Sequence, residues 1–192
     1  MTQPILAVIV EGHGEVSAVP TLLRRLVPHA QILKPHRVPR GKMTTEVGRA
    51  VQLQGTRVGQ HGGVLVLLDA DDDDPDELAH RLDDDIAAHA SGKIAGRARV
   101  TVAVREFEAW FLGGIESLRS HRSVDNDASY DGNPEEPRDA KGRLSDRMME
   151  PYQETIHQVA FSALVDLEDV AQRCPSFIRF QEAVIELAGA SE

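Results

Sequence analysis

Apolar and polar positions follow two alternating periods along the first part of the chain. Ile5–Val10 is a short, continuous apolar run rich in β-branched residues, the pattern of a strand buried on both faces. Gly12 and Gly14 then mark a tight turn, and Val16–Leu26 carries Val19, Leu22, Leu23 and Leu26 at helical spacing. A weaker strand, Gln31–Val38, comes next. A helix from about Thr44 to Leu53 would place Val47, Ala50, Val51 and Gln54 on neighbouring turns. His61-Gly62-Gly63 reads as a turn before Val64–Leu68, the clearest strand in the chain. Asp76–Ala90 has Leu78, Leu82, Ile86 and His89 on one helical stripe, Arg99–Val104 is a fourth strand, and Glu106–Leu112 opens another helix.

Strands alternating with helices predict parallel βαβ units, an open, mostly parallel four-stranded α/β sheet of Rossmann-like type with helices on both faces. The period is lost from Arg119 to Arg138, where the chain is polar and carries Pro and Gly. That stretch predicts a long, mobile loop, able to act as a lid. Helical spacing returns after Lys141, over Gly142–Met149, Tyr152–Leu164, Asp166–Arg173 and Phe177–Leu187, with Ser176 placed to cap the last helix. The chain thus divides into an α/β domain (1–118), a polar loop (119–140) and a C-terminal helical segment (141–192) packed on the same domain.

Composition narrows the function. The 192 residues carry a net charge of −10, which argues against a protein that coats nucleic acid but not against a nuclease whose carboxylates hold cations. One cysteine, Cys174, excludes a disulfide framework and a thiolate zinc site, and fits a reducing cytoplasm. Its commonest role is as a small apolar packer. The N-terminal stretch lacks a basic segment ahead of its apolar run, so no signal peptide is read, and no run approaches the ~18 residues of a membrane helix.

The chemistry concentrates in VLVLLDADDDD, Val64–Asp74. Parallel sheets bind ligands at the carboxyl ends of their strands, where the strand order reverses. In a 2-1-3-4 order, the strands ending at Glu11 and Asp69 flank that point, with Glu15 one helical turn on and Asp71 reaching in from the loop. Glu11, Glu15, Asp69 and Asp71 form a hard-oxygen set suited to Mg²⁺ or Mn²⁺, and Asp73 could be an outer ligand. Such a site can hold two ions ~3.5–4 Å apart around a phosphodiester. The bland reading is helix-start acids beside a solvated loop, which also covers most of Asp72, Asp74, Asp76 and Glu77.

Spacing tests the other acidic motifs. An EF-hand loop from Asp69 needs Gly and Glu where Asp74 and His80 stand. A haloacid-type phosphatase places its Asp-x-Asp strand first and a hydroxyl residue where Asp73 lies. A sugar-nucleotide transferase would leave Glu11 and Glu15 unexplained. RGKMT, Arg40–Thr44, lacks the glycine and hydroxyl residue of a phosphate-binding loop. Lys34, Arg37, Arg40 and Lys42 are an acid-free basic run that could hold nucleic-acid phosphates or simply balance the acidity of the chain. Glu106 and Glu108 open the helix after strand four, and either could orient a metal-bound water or serve only as a helix-start acid. Lys141 could stabilise charge on a transferred phosphate or be plain surface. His13, in the glycine turn, could contact substrate; the other histidines show no metal-ligand spacing.

VIVEGHGE, LLDADDDD, VREFEAWFL, KGRL and HQVAF…RCPSFIRF, in that order, resemble the family catalogued as domain of unknown function 4276. That family is similar to a branch of the Toprim superfamily, which includes overcoming-lysogenisation-defect (OLD) nucleases. The resemblance implies a Toprim-like fold and a Mg²⁺-dependent nuclease acting on DNA or RNA. It places the superfamily glutamate on Glu11, the Asp-x-Asp on Asp69 and Asp71, the second glutamate of the OLD-type branch on Glu15, and the OLD-type lysine on Lys141. A related member is a phage-defence effector restrained by an ATPase partner, so a toxin-like role is implied too. No spare interaction domain for such a partner is visible, and the oligomeric state is open. The rival readings are a small-molecule phosphatase or phosphotransferase using the same acids, and a regulatory module that binds metal or a partner without catalysis.

Overall fold

Two-residue alternation along the strands builds two cores, one on each face of a sheet. Along β1 (Ile5–Val10) and β4 (Gly62–Asp69), Leu6, Val8, Val10, Leu65 and Leu67 enter one core. Ala7, Ile9, Val64, Val66 and Leu68 enter the other. A parallel sheet needs both faces covered, because its strands are apolar throughout. The computed structural model describes residues 3–189, so the outer limits of the expected domain bounds, 1 and 192, lie outside the described residues.

All strands run parallel, in the order β2-β1-β4-β5, with β2 at Gln31–Ile32 and β5 at Ala98–Ala103. The predicted 2-1-3-4 path is present, but the sheet has five strands rather than four. The expected second strand, Gln31–Val38, is two short ones, β2 (Gln31–Ile32) and β3 (His36–Arg37), both beside β1. Pro35 lies between them and has no N–H to extend the ladder.

Helices α1 (Glu15–Leu26) and α9 (Pro175–Gly189) cover one face. Helices α2 (Arg40–Val58) and α3 (Pro75–His89) cover the other, through Met43, Val47, Val51, Leu78 and Leu82, with the short α4 (Gly92–Ala95) beside them. Helix α2 begins at Arg40 rather than near Thr44, so two residues of the supposed basic loop belong to a helical turn. Gly62 and Gly63, read as turn, are strand. A Cβ on Gly62 would lie 2.3 Å from the Ile5 carbonyl oxygen, and one on Gly63 would lie 2.5 Å from Leu187, so both allow close approach by β1 and α9. The turn sits earlier, at Gly59–His61, with Gly59 at φ 68°.

After β5 the chain forms α5 (Glu108–Gly113); Phe107 at its N-cap, with Trp110 and Phe111, joins Phe161, Phe177 and Phe180 in an aromatic core. The polar stretch that follows is irregular, as its composition predicts, but it is no free-standing lid. Val124 and Ala128 are buried in the same core, and arginine side chains hold the backbone carbonyls. Arg119 donates to Ala128 O at 2.7 Å, Arg147 to Ser129 O at 2.6 Å, and Arg173 to Gly132 O at 3.0 Å. Helices α6 (Ala140–Ser145), α7 (Glu154–Leu164) and α8 (Leu167–Arg173) lead to α9. Pro175 opens α9, as its fixed φ favours. Ser176 is therefore not a cap: its hydroxyl accepts from Trp110 Nε1 at 2.8 Å and donates to Glu135.

Candidate active site

The chain leaves β1 at Val10, turns through Glu11–Gly14, and enters α1 at Glu15. Gly14, as the N-cap, offers no side chain to the free N–H groups of this turn. The Glu15 carboxylate folds back instead, its Oε2 accepting from Glu11 N at 3.2 Å and Gly12 N at 3.1 Å. One oxygen of Glu15 therefore serves the turn. A Cβ on Gly14 would lie 2.1 Å from Gln158 Oε1, so glycine there is what lets α7 close on the strand ends.

Asp69 ends β4 at 6% exposure, and its Oδ1 accepts from Phe107 N at 2.8 Å. Glu108, at the start of α5, is fully buried. Its Oε1 accepts from the Tyr152 hydroxyl and from Gln158 Nε2, each at 2.8 Å, while its Oε2 is buried with no hydrogen-bond partner. A buried carboxylate oxygen left bare is costly, and natural interiors rarely leave one so.

These acids hold their protons unusually tightly. Burial, and then the charges of Glu15, Glu108 and Glu11, push Asp69 well above the usual carboxylate range. Glu15 is raised to about 7, by burial first and then by Glu11 and Glu108, against the pull of its backbone hydrogen bonds. Burial also raises Glu108 against Lys141, Gln158 and Tyr152, and raises Glu11 against Arg40. Lys141, on α6, lies on the same side: its Nζ pairs with Glu154 Oε1 at 2.8 Å, and Glu108, Glu154 and Asp69 raise its pKa despite burial. Glu106 is not in the buried set but places that lysine, its Oε2 accepting from Lys141 N at 2.9 Å.

The aspartate run is laced with arginines. Arg40, the first residue of α2, reaches Glu11 Oε2 at 3.3 Å, Asp73 Oδ2 at 2.9 Å and Asp71 Oδ2 at 3.6 Å. It also donates to the carbonyls of Asp69 and Ala70. Asp73 has a second partner in Arg81, and Asp72 is held by Arg105 and Arg138. Asp74 caps α3 by accepting from Asp76 N and Glu77 N. Within the run, Asp69 faces Glu15, Glu108 and Glu11, and Asp71 faces Glu11; Asp73 is tied to Glu11 through Arg40.

Asp71 and Arg105 stand at adjacent strand ends in left-handed backbone, at φ 51° and 64°. They hold each other there: Asp71 N donates to Arg105 O at 2.8 Å, and Arg105 Nη1 to Asp71 O at 3.0 Å. Such conformations cost about 1–3 kcal/mol each and gather at functional sites. The supposed basic run does not form one patch. Arg37 donates to the Glu11 carbonyl at 3.0 Å, Arg40 lies inside the acidic cluster, Lys42 pairs with Glu46 at 3.2 Å, and Lys34 lines a separate groove with Arg24. His13 is exposed in the glycine turn.

Sequence reasoning missed Arg40 as a partner of the acids, and Tyr152 and Gln158 as the groups holding Glu108. Among the described residues, no three Asp, Glu, His or Cys side chains form a ready cation cage. The hydrogen bonds explain why: Glu15 is turned to backbone, Asp69 to Phe107 N, and Glu11 to Arg40. The bare Glu108 Oε2 and an all-oxygen donor set still fit a hard divalent cation, provided Arg40 gives way.

Residues 10–185 match the family model described as "Domain of unknown function (DUF4276)". The structure is similar to the C-terminal region of the Xanthomonas campestris pv. campestris OLD protein, at a TM-score of 0.54, 18% identity and 96% coverage of each chain, a likeness that bears on the fold. No curated protein matches the sequence. Among the described residues, no helix is long and apolar enough to cross a membrane.

Proposed function

The chain belongs to the DUF4276 family, and from that premise we propose that it is a Toprim-type, Mg²⁺- or Mn²⁺-dependent nuclease that hydrolyses phosphodiester bonds in DNA or RNA. The observation that carries this reading is the burial of Glu15, Asp69 and Glu108 beside the part-buried Glu11, gathered from three neighbouring strand ends with Glu108 Oε2 left without a hydrogen-bond partner. Gathering buried like charges opposes folding, so the arrangement is retained for a positive ligand. The fold shared with the OLD protein region is consistent with it.

In this reading Glu11, Asp69, Asp71 and Glu108 hold the cation, with Asp73 in an outer position. Bound there, the cation supplies Lewis-acid activation of water and neutralises charge on the phosphate. Glu15, with Oε2 turned to the backbone of the strand-end turn, serves as the general base through its other oxygen. Lys141, held protonated beside the acids, faces charge developing on the phosphoryl oxygens. Tyr152 and Gln158 fix the Glu108 rotamer from behind.

The test is cleavage of plasmid DNA, single-stranded DNA and RNA in Mn²⁺, Mg²⁺ or EDTA by wild type, Glu11→Ala and Lys141→Ala. The proposal predicts cation-dependent cleavage that both substitutions abolish. Turnover of p-nitrophenyl phosphate without cleavage would shift the reading to a small-molecule phosphatase. Absence of any turnover would favour a binding module, a reading supported by the ion pair that Arg40 already makes in the cluster.

A further inference from the structure

Arg40 bridges the two acidic strand ends. Its Nη1 donates to the Asp69 carbonyl and to Glu11 Oε2 at 3.3 Å. Its Nη2 donates to Ala70 O at 3.2 Å and Asp73 Oδ2 at 2.9 Å, and stands 3.6 Å from Asp71 Oδ2. The planar fork thus lies between the ends of β1 and β4, at the point where the strand order reverses. Glu11 and Asp71, which it neutralises, belong to the set proposed above to hold the cation.

A guanidinium and a divalent cation compete for those carboxylates, because both are positive and each offsets the same negative charge. We infer that Arg40 is the internal counter-ion of the acidic cluster and exchanges with the divalent cation, an inference that rests on the metal-dependent reading above. The structure provides for its departure. The Arg40 side chain is 34% exposed, so it has a route to solvent. Asp73 keeps Arg81 as a partner at 3.2 Å, and Ala70 O keeps a bond from Asp73 N at 2.9 Å, so neither acceptor is stranded. Once released, the fork is free for a phosphate group. Substrate phosphate and metal then favour one another, and by linkage each raises the affinity of the other by the same factor.

The experiment is calorimetric titration of Mn²⁺ into wild type and Arg40→Gln, each checked for folding by circular dichroism. Exchange predicts that Arg40→Gln binds Mn²⁺ at least about fivefold more tightly, the lower end of an ordinary coupling. Equal or weaker binding by a folded Arg40→Gln overturns the exchange and leaves the metal site standing. No binding to either protein overturns the metal site, and the exchange with it. A second measurement needs no variant: the Arg40 guanidinium resonance followed by NMR while Mg²⁺ is added to wild type. Exchange predicts a saturable shift, and an unmoved resonance in a protein that binds Mg²⁺ contradicts it.

Discussion

Asp69→Asn is predicted to stabilise the metal-free protein while destroying its response to metal. Asn Oδ1 can still accept from Phe107 N, so the hydrogen bond at the end of β4 survives. What disappears is a buried carboxyl whose ionisation is opposed by burial and by the facing Glu15, Glu108 and Glu11. The scale comes from Glu15, whose rise from 4.5 to about 7 corresponds to about 3 kcal/mol at ~1.4 kcal/mol per pH unit, burial being the larger part. Removing one charged neighbour and its own burial cost therefore gains on the order of 1–3 kcal/mol at pH 8. For a chain of this size, each kcal/mol moves Tm by about 2–4 °C. The gain has a pH signature. A carboxyl raised in the folded state binds more protons there than when unfolded. Its stabilising effect is complete below the unfolded value and lost as pH rises through the folded one, which for Glu15 spans 4.5 to about 7. Wild type in EDTA should thus lose stability from pH 5 to pH 8, and the advantage of Asp69→Asn should shrink at pH 5. Scanning calorimetry of both proteins at the two pH values, with EDTA and with Mn²⁺, reads all of this. A Tm for Asp69→Asn at or below wild type at pH 8 in EDTA, or an advantage undiminished at pH 5, would refute the reasoning.

Tyr152→Phe removes one of the two donors to Glu108 Oε1. It should cost about 1–3 kcal/mol in urea denaturation and weaken Mn²⁺ binding about 10–100-fold, whereas a purely structural role for the hydroxyl would leave the affinity unchanged. Ser176→Ala strands Trp110 Nε1 and takes a partner from the buried Glu135 carboxylate. A loss of about 1–3 kcal/mol with metal binding intact is expected in the same assays. Gly63→Ala drives a methyl to 2.5 Å from Leu187 and should cost about 1–3 kcal/mol through overpacking between β4 and α9; a neutral result would mean that α9 shifts freely.

The strand–helix alternation was legible because Ile5–Val10 and Val64–Leu68 are unbroken apolar runs, and their shortness, β-branched content and flanking glycines mark them as strands buried on both faces rather than buried helix. The division of the Gln31–Val38 edge strand was not, since Pro35 splits it into two fragments too short to show a period. Glu11, Glu15, Asp69 and Asp71 could be gathered on paper because strand ends and a switch point follow from topology. Arg40 could not, because it meets Glu11 across 29 residues and no local pattern marks the pair. Glu108 does carry a sequence signal: it is an acid set among Phe107, Ala109, Trp110 and Phe111, apolar residues of the kind a core takes, and the structure buries all five. Tyr152 and Gln158 had none, since their place depends on Gly14 admitting α7. The polar stretch was read as mobile from composition, which cannot register arginine side chains that satisfy its carbonyls from other elements.

The central claim is that the buried carboxylates gather around a cation. Crystals soaked in Mn²⁺ and measured at the manganese absorption edge test it most directly. The account predicts anomalous density among Glu11, Asp69 and Glu108, with Glu108 Oε2 as a ligand and Arg40 withdrawn from Glu11. Density confined to surface acids, with Arg40 still paired to Glu11 and Glu108 Oε2 still bare, would contradict it.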